Sequence, residues 1–194
     1  MSKVLVVYAS RHGGTRGIAE RVGEVLRSEG IDATVASTEA VRDVGLADAF
    51  VVGSGVYMGS WLKEGTEFLA RHQVMLTARP TWLFSSGPLR GSTAEKPGSD
   101  PLTDALGPEE GPGSSGRRRI TELGDAIRIR EHRIFYGAYD PKDPPKAFAE
   151  RMVRMLPAAK GVLPPGDFRE WDVIEAWARE IAREVTAKVP TAAG

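Results

Sequence analysis

Residues 4–15 read VLVVYASRHGGT and join a short apolar run to a glycine-bearing turn. The run from Val4 to Tyr8 is rich in β-prone residues, which is typical of a strand buried on both faces of a parallel sheet. Beyond the turn, apolar residues recur at helical spacing at positions 18, 19, 22, 25 and 26. The segment therefore predicts a strand, a tight turn and a helix that ends at Gly30.

The same alternation continues along the chain and predicts a doubly wound α/β sheet with helices on both faces. Strand-like runs occupy residues 31–36, 49–52, 81–84 and 133–138, and helical spacing occurs over 61–76 and 174–185. Residues 38–44 are predicted to form a short helix. Five parallel strands are expected.

Two segments interrupt this pattern within a single predicted domain, residues 1–194. Residues 87–116 are rich in Gly, Pro and Ser and predict a long surface loop, either partly mobile or a plain disordered insertion. Residues 139–168 predict an insertion after the fifth strand. Its centre, 146–156, is amphipathic and is either an interfacial helix or a helix that packs on the domain.

The bulk composition excludes several kinds of chemistry. Because cysteine is absent, disulfides, thiol redox chemistry and cysteine-ligated clusters are excluded. The 26 basic and 26 acidic residues balance, so no global charge draws the chain to nucleic acid. No apolar run reaches the ~18 residues of a membrane span, and the N-terminus lacks a signal-peptide pattern. We expect a cytoplasmic protein, with peripheral contact at the inner face of the cell membrane through residues 142–160 left open.

The turn at residues 10–15 has the composition of a phosphate-binding loop. Gly13 and Gly14 allow a tight bend that presents backbone N–H groups, and Ser10 and Thr15 add hydroxyls. The positive end of the following helix points to the same place. A Walker A loop is excluded, since the turn lacks the Gly-Lys-Ser/Thr sequence. A phosphate-bearing ligand is therefore favoured over an empty structural turn.

A second unusual turn is expected at residues 53–59. For the strand order 2-1-3-4-5, ligands bind where the order reverses, between strands one and three, and both turns lie there. The glycines at 53, 55 and 59 miss the spacing of a dinucleotide-binding fingerprint by one residue. In the first turn, Arg11 either adds charge at the rim or is solvated, and His12 either donates to the phosphate or is a structural loop residue.

These motifs resemble those of flavodoxins. Residues 8–15, YASRHGGT, are similar to the flavodoxin phosphate loop, residues 52–59, VGSGVYMG, to the next flavin-contacting loop, and residues 85–89, SSGPL, lie where the third loop is expected. The resemblance implies a flavodoxin-like fold, with five parallel strands in the order 2-1-3-4-5, and FMN as a non-covalent cofactor. Tyr57 matches the aromatic residue that stacks on the flavin, although a tyrosine in such a loop can also simply cap the core.

The resemblance implies FMN contacts from three groups of residues. They are Ser10, Arg11, His12, Gly13, Gly14 and Thr15; Gly53, Ser54, Gly55, Val56 and Tyr57; and Ser85, Ser86, Gly87 and Pro88. The family implies no dedicated acid or base, and the residues suggest no metal site.

Within that family the chain is similar to the quinone-dependent protoporphyrinogen oxidase type. Residues 10–19, SRHGGTRGIA, match that subgroup's turn, and its basic, helix-forming insertion corresponds to 139–168, where Pro144 and Pro145 depart from the subgroup's composition. The resemblance implies an FMN-dependent oxidoreductase that oxidises protoporphyrinogen, a step of heme biosynthesis, or a similar reduced substrate, with a quinone as acceptor.

Two alternatives stay open. One is an electron-transfer protein that serves a partner redox protein and has no small-molecule substrate of its own; the other is an NAD(P)H-quinone reductase. The insertion favours the enzyme, and the balanced charge disfavours a carrier, because many flavodoxins are strongly acidic. Residues 117–119, three consecutive arginines, either bind an acidic partner or propionate groups or form a solvated charge run.

Overall fold

A computed structural model describes residues 1–57, 59–87, 106, 114–139 and 166–187. Its strands are β1 (Lys3–Ala9), β2 (Asp32–Ser37), β3 (Ala49–Tyr57), β4 (Ser60–Trp61), β5 (Thr81–Ser86), β6 (Glu131–Phe135), β7 (Ala138–Tyr139) and β8 (Gly166–Asp167). Five of them form a parallel sheet in the order β2-β1-β3-β5-β6. This is the predicted order 2-1-3-4-5, which is confirmed.

Helices cover both faces of the sheet. They are α1 (Gly14–Ser28), α2 (Lys63–Arg71), α3 (Gln73–Thr77), α4 (Ser115–Ile127) and α5 (Trp171–Ala187). Alternate side chains of each strand point to opposite faces, so Val6 joins the core under α1 and α5, while Val7 joins the core under α2, α3 and α4. The continuous apolar runs are therefore explained by burial on both sides.

Several boundaries differ from the sequence prediction. Residues 53–57 are not a turn, because β3 continues through Tyr57 and pairs antiparallel with β4. Residues 38–44 form no helix; the amides of Ala40 and Val41 both donate to the Ser37 carbonyl in a turn. So short a segment has little apolar face with which to offset the cost of helix nucleation. The helix expected over 61–76 is divided at His72 into α2 and α3.

The second half of the sheet also differs in detail. The fifth parallel strand ends at Phe135, and residues 138–139 pair instead with 166–167 in a separate two-stranded ribbon. The sequence pattern does not indicate helix α4, since its apolar positions are sparse and three arginines lie near its start. The predictions for Pro88, for most of the 87–116 loop and for residues 140–165, including 142–160, lie outside the described residues. No helix within the described ranges could cross a bilayer.

Candidate functional site

The connection between β1 and α1 is a tight turn of residues 10–13. Gly13 has a φ of +82°, a left-handed conformation that favours glycine. The Ser10 hydroxyl oxygen accepts a hydrogen bond from the Gly13 amide at 3.2 Å. Among the described residues, no atom lies within 4 Å of the place that a Cβ atom on Gly13 would take. The turn is thus closed from inside by its own serine, and its outer side is open.

The first turn of α1 keeps its amides available. The first hydrogen bond into the helix runs from the Gly17 amide to the Gly13 carbonyl, at 2.9 Å. The amides of residues 14–16 precede that bond, and α1 has no side-chain cap and no acidic residue in its first turn. Amides of this kind, together with the positive end of the helix, favour an anion. The geometry fits the phosphate that the sequence predicted.

The end of β3 brings an aromatic ring to this turn. A Cβ atom on Gly55 would lie 3.0 Å from Tyr57 Cε2 and 3.1 Å from Thr15 Oγ1, so glycine is what allows the strand, the ring and α1 to meet. The Arg11 guanidinium carbon lies 4.9 Å from the centroid of the Tyr57 ring, and the His12 ring centroid lies 6.4 Å away. Gly55 and Tyr57 of the second predicted group therefore lie beside residues of the first group at the carboxyl edge of the sheet.

The remaining residues of the second group shape the strand. Ser54 is fully buried, and its hydroxyl donates to the Gly55 carbonyl at 3.0 Å and accepts from the Leu62 amide at 3.1 Å. Gly53 lies against the ring of Phe84. Val56 pairs with Trp61 across the β3–β4 hairpin. Ser54 therefore fixes the hairpin through its hydroxyl, and Gly53 leaves room for the core.

The third predicted group lies beside the second. Ser86 is in register with Gly55, and a Cβ atom on Gly87 would lie 3.7 Å from Val56 Cβ. Gly87 has a φ of +128°, and its amide donates to the Phe135 carbonyl at 2.9 Å. Ser86 is largely buried. The structure thus places this segment at the carboxyl edge of the sheet, beside the second group. Its contacts with a flavin stay a prediction.

A buried hydrogen-bonded group of Trp61, Ser85 and His132, which the sequence did not predict, links β4, β5 and β6. Trp61 Nε1–H donates to Ser85 Oγ at 2.7 Å, and Ser85 Oγ lies 2.9 Å from His132 Nε2. Burial lowers the pKa of His132 to about 4, so the imidazole is neutral near pH 7. The Ser85 hydroxyl is therefore engaged inside the core. No local signal announces this contact, since 47 residues separate Ser85 from His132.

This histidine makes the stability of the fold dependent on pH. Its pKa in the unfolded chain is the ordinary value of 6.5, above the folded value of about 4, so between these values the unfolded state binds a proton that the folded state does not. Stability contributed by neutral His132 is complete above pH 6.5 and is lost as the pH falls. We expect unfolding to cost about 2 kcal/mol less at pH 5 than at pH 7 from this group. Urea unfolding at both pH values measures the difference.

The matched control for that prediction is His132→Gln, which keeps an acceptor for the Ser85 hydroxyl and removes the titration. Between pH 7 and pH 5 the variant is expected to lose about 2 kcal/mol less stability than the unchanged protein, because the contribution of His132 is gone. Equal pH dependence in both proteins would show that other groups cause the acid sensitivity.

The family described as Flavodoxin domain matches residues 5–140, which is more than half of the chain. This chain belongs to the flavodoxin domain family. Its cofactor is accordingly FMN, and the open turn, the available amides and the adjacent ring of Tyr57 fit that group.

Curated relatives match a smaller part of the flavodoxin chain. The Protoporphyrinogen IX dehydrogenase (quinone) of Escherichia coli K12 is 28% identical over 85 residues, which is 43% of this chain and 47% of that protein. The protein of the same name from E. coli O157:H7 matches equally. The match therefore spans about half the length of these relatives.

Solved structures share the fold. A flavodoxin from the domain Archaea superposes with a TM-score of 0.55 at 18% identity and covers 95% of this chain and 99% of its own. Flavodoxin 1 from Bacillus cereus gives 0.56 at 13% identity, covering 94% and 98%. Rubredoxin oxygen:oxidoreductase from Desulfovibrio gigas gives 0.59 at 16% identity, covering 98% of this chain and 38% of its own. At these identities the likeness shows the flavodoxin-like fold.

Proposed function

We propose that this chain is an FMN-dependent oxidoreductase that oxidises protoporphyrinogen or a similar reduced substrate and passes the electrons to a quinone. The observation that carries the redox part is the single cluster at the sheet edge, where the α1 amides and the ring of Tyr57 meet. The substrate part is supported by the name and the partial sequence match of the E. coli relatives.

The chain's own residues bind and orient the cofactor. The amides at the start of α1 would hold the phosphate, and Tyr57 would pack against the ring system. When bound, FMN supplies the electron-accepting ring that takes hydride or electrons from the substrate. Within the described ranges no group of three or more His, Asp or Glu side chains could hold a metal ion. The protein's contribution, in this proposal, is to bind and orient the cofactor and to control access to it.

The position of the insertion supports an enzyme over a simple electron carrier. Pairing of β7 with β8 holds the two ends of segment 140–165 together, with Ala138 opposite Asp167. The backbone N and O of Ala138 lie 3.5 Å from where a Cβ atom on Gly14 would be. Ala138, which immediately precedes Tyr139 and the segment 140–165 in the chain, thus lies beside Gly14. A carrier that only meets a partner protein needs little beyond the core sheet and helices.

A comparison of reductants tests the proposal. Purified protein is reconstituted with FMN, and flavin reduction is followed anaerobically by absorbance with protoporphyrinogen or with NADPH as the reductant. We expect rapid reduction by protoporphyrinogen only, followed by reoxidation on adding a quinone. Reduction by NADPH alone would indicate a quinone reductase, and reduction by neither would indicate an electron-transfer protein. Either result would overturn the proposed substrate.

We also propose that the protein works in the cytoplasm at the inner face of the membrane, because that is where a membrane quinone is accessible. Flotation of the holoprotein with anionic lipid vesicles tests this. Deletion of residues 142–160 is expected to abolish co-flotation, and binding that survives the deletion would contradict the placement.

A further inference from the structure

Arg169 is fixed beside the first turn of α1 by the chain that follows β8. Its Nε and Nη2 donate to the two carboxylate oxygens of Asp167 at 2.7 and 2.6 Å, and its Nη1 donates to the Gly14 carbonyl at 3.4 Å. The guanidinium carbon lies 4.4 Å from the centroid of the Trp171 ring. The bidentate ion pair with Asp167 and the contact with the Trp171 ring together hold the guanidinium in one orientation.

The sequence of α1 makes room for this arginine. A Cβ atom on Gly17 would overlap Arg169 Nη1. Glycine inside a helix lowers its stability, so its presence at this point of α1 calls for a local reason. Close approach of the guanidinium to the helix supplies that reason.

The charge of Arg169 is poorly placed for the helix alone. A cation beside the N-terminal turn faces the positive end of the helix, which is unfavourable unless an anion binds there. Asp167 offsets part of the charge, and the ion pair in turn keeps the pKa of Asp167 below its usual range. The positive end of the Arg169–Asp167 pair is the end that contacts Gly14 in the phosphate turn.

We propose that Arg169 is a specificity residue that makes this chain prefer FMN over unphosphorylated riboflavin. The inference rests on the proposed binding of the FMN phosphate at residues 10–15. Arg169 acts through the field of its guanidinium on the phosphate dianion, and Asp167 moderates that field. A flavin without the phosphate lacks the charge on which Arg169 acts.

The test compares dissociation constants of FMN and riboflavin for the apoprotein, measured by quenching of flavin fluorescence at low salt. Arg169→Gln is expected to raise the Kd for FMN about 10-fold and to leave the Kd for riboflavin within about 2-fold. Asp167→Asn removes the moderating carboxylate and is expected to lower the Kd for FMN by about 3-fold. Added salt is expected to shrink both differences.

Two further variants separate charge from packing. Arg169→Lys keeps the charge and is expected to keep most of the preference for FMN. Arg183→Gln removes an exposed arginine of α5 and is expected to change neither constant. Equal weakening of both flavins in Arg169→Gln, or weaker FMN binding in Asp167→Asn, would overturn the inference in favour of a purely structural clamp. Failure of the unchanged protein to bind FMN would instead overturn the cofactor assignment itself.

Discussion

Ser10→Asp is expected to weaken FMN binding by at least about 100-fold. The Ser10 hydroxyl accepts from the Gly13 amide at 3.2 Å, and an aspartate oxygen can accept the same bond. The turn therefore keeps its shape, and the added negative charge lies beside the phosphate dianion. At separations of a few ångströms and an effective dielectric constant of ~20, such repulsion amounts to several kcal/mol before solvent screening.

Ser10→Asn is the matched control, because it has the shape of the aspartate without the charge. Titration of apoprotein with FMN, followed by fluorescence, measures both variants, and riboflavin provides a ligand without the phosphate. We expect the asparagine variant to bind FMN within about 10-fold of the unchanged protein, since the loop bond is retained. If the two variants bind FMN equally, the phosphate does not lie at residues 10–15.

Gly53→Ala is expected to lower the free energy of unfolding by about 3 kcal/mol. The added methyl would overlap the ring of Phe84, which is fully buried on the neighbouring strand. That ring has little freedom to move, since its centroid lies 6.0 Å from that of Phe135 and 6.1 Å from that of Trp177. The core must therefore shift to admit one carbon atom.

A double-mutant cycle with Phe84→Leu tests this explanation by urea unfolding. Each single substitution is expected to destabilise the protein, and the double variant is expected to be more stable than the sum of the two losses indicates, because the shorter side chain leaves space for the methyl. Additive losses would mean that the cost of Gly53→Ala arises from the backbone of β3 and not from contact with Phe84.

The most local features of the fold were predictable from the sequence. The apolar run at 4–8, the glycine turn and the helix with apolar residues at 18, 22 and 26 each depend on neighbours within one turn or one strand. The alternation of strands with helices predicted a parallel sheet, the resemblance to flavodoxins supplied the order of its five strands, and the structure confirms both. The residues of the first two predicted flavin loops lie at the ends of strands that the pattern had already located, and their contacts with FMN stay a prediction.

Features that depend on distant partners were not predictable. The glycines at 53 and 55 are typical of a turn, so the sequence predicts a turn that includes Tyr57. In the structure these residues belong to β3, because they pair with β4 and with the neighbouring parallel strands. The burial of Ser85 depends on Trp61 and His132, which only the packed sheet brings within hydrogen-bond distance.

The sequence alone determined the class of the fold, the place of the glycine turn between β1 and α1 and, through the family, the cofactor. Tertiary structure alone decided which polar groups lie at the carboxyl edge of the sheet and which are hydrogen-bonded inside the core. It also decided that Arg169, from the far end of the chain, lies beside Gly14. The physical reason is that strand and helix periodicities are set by neighbouring residues, whereas a charge or a hydroxyl takes its role from whichever group the closed chain places next to it.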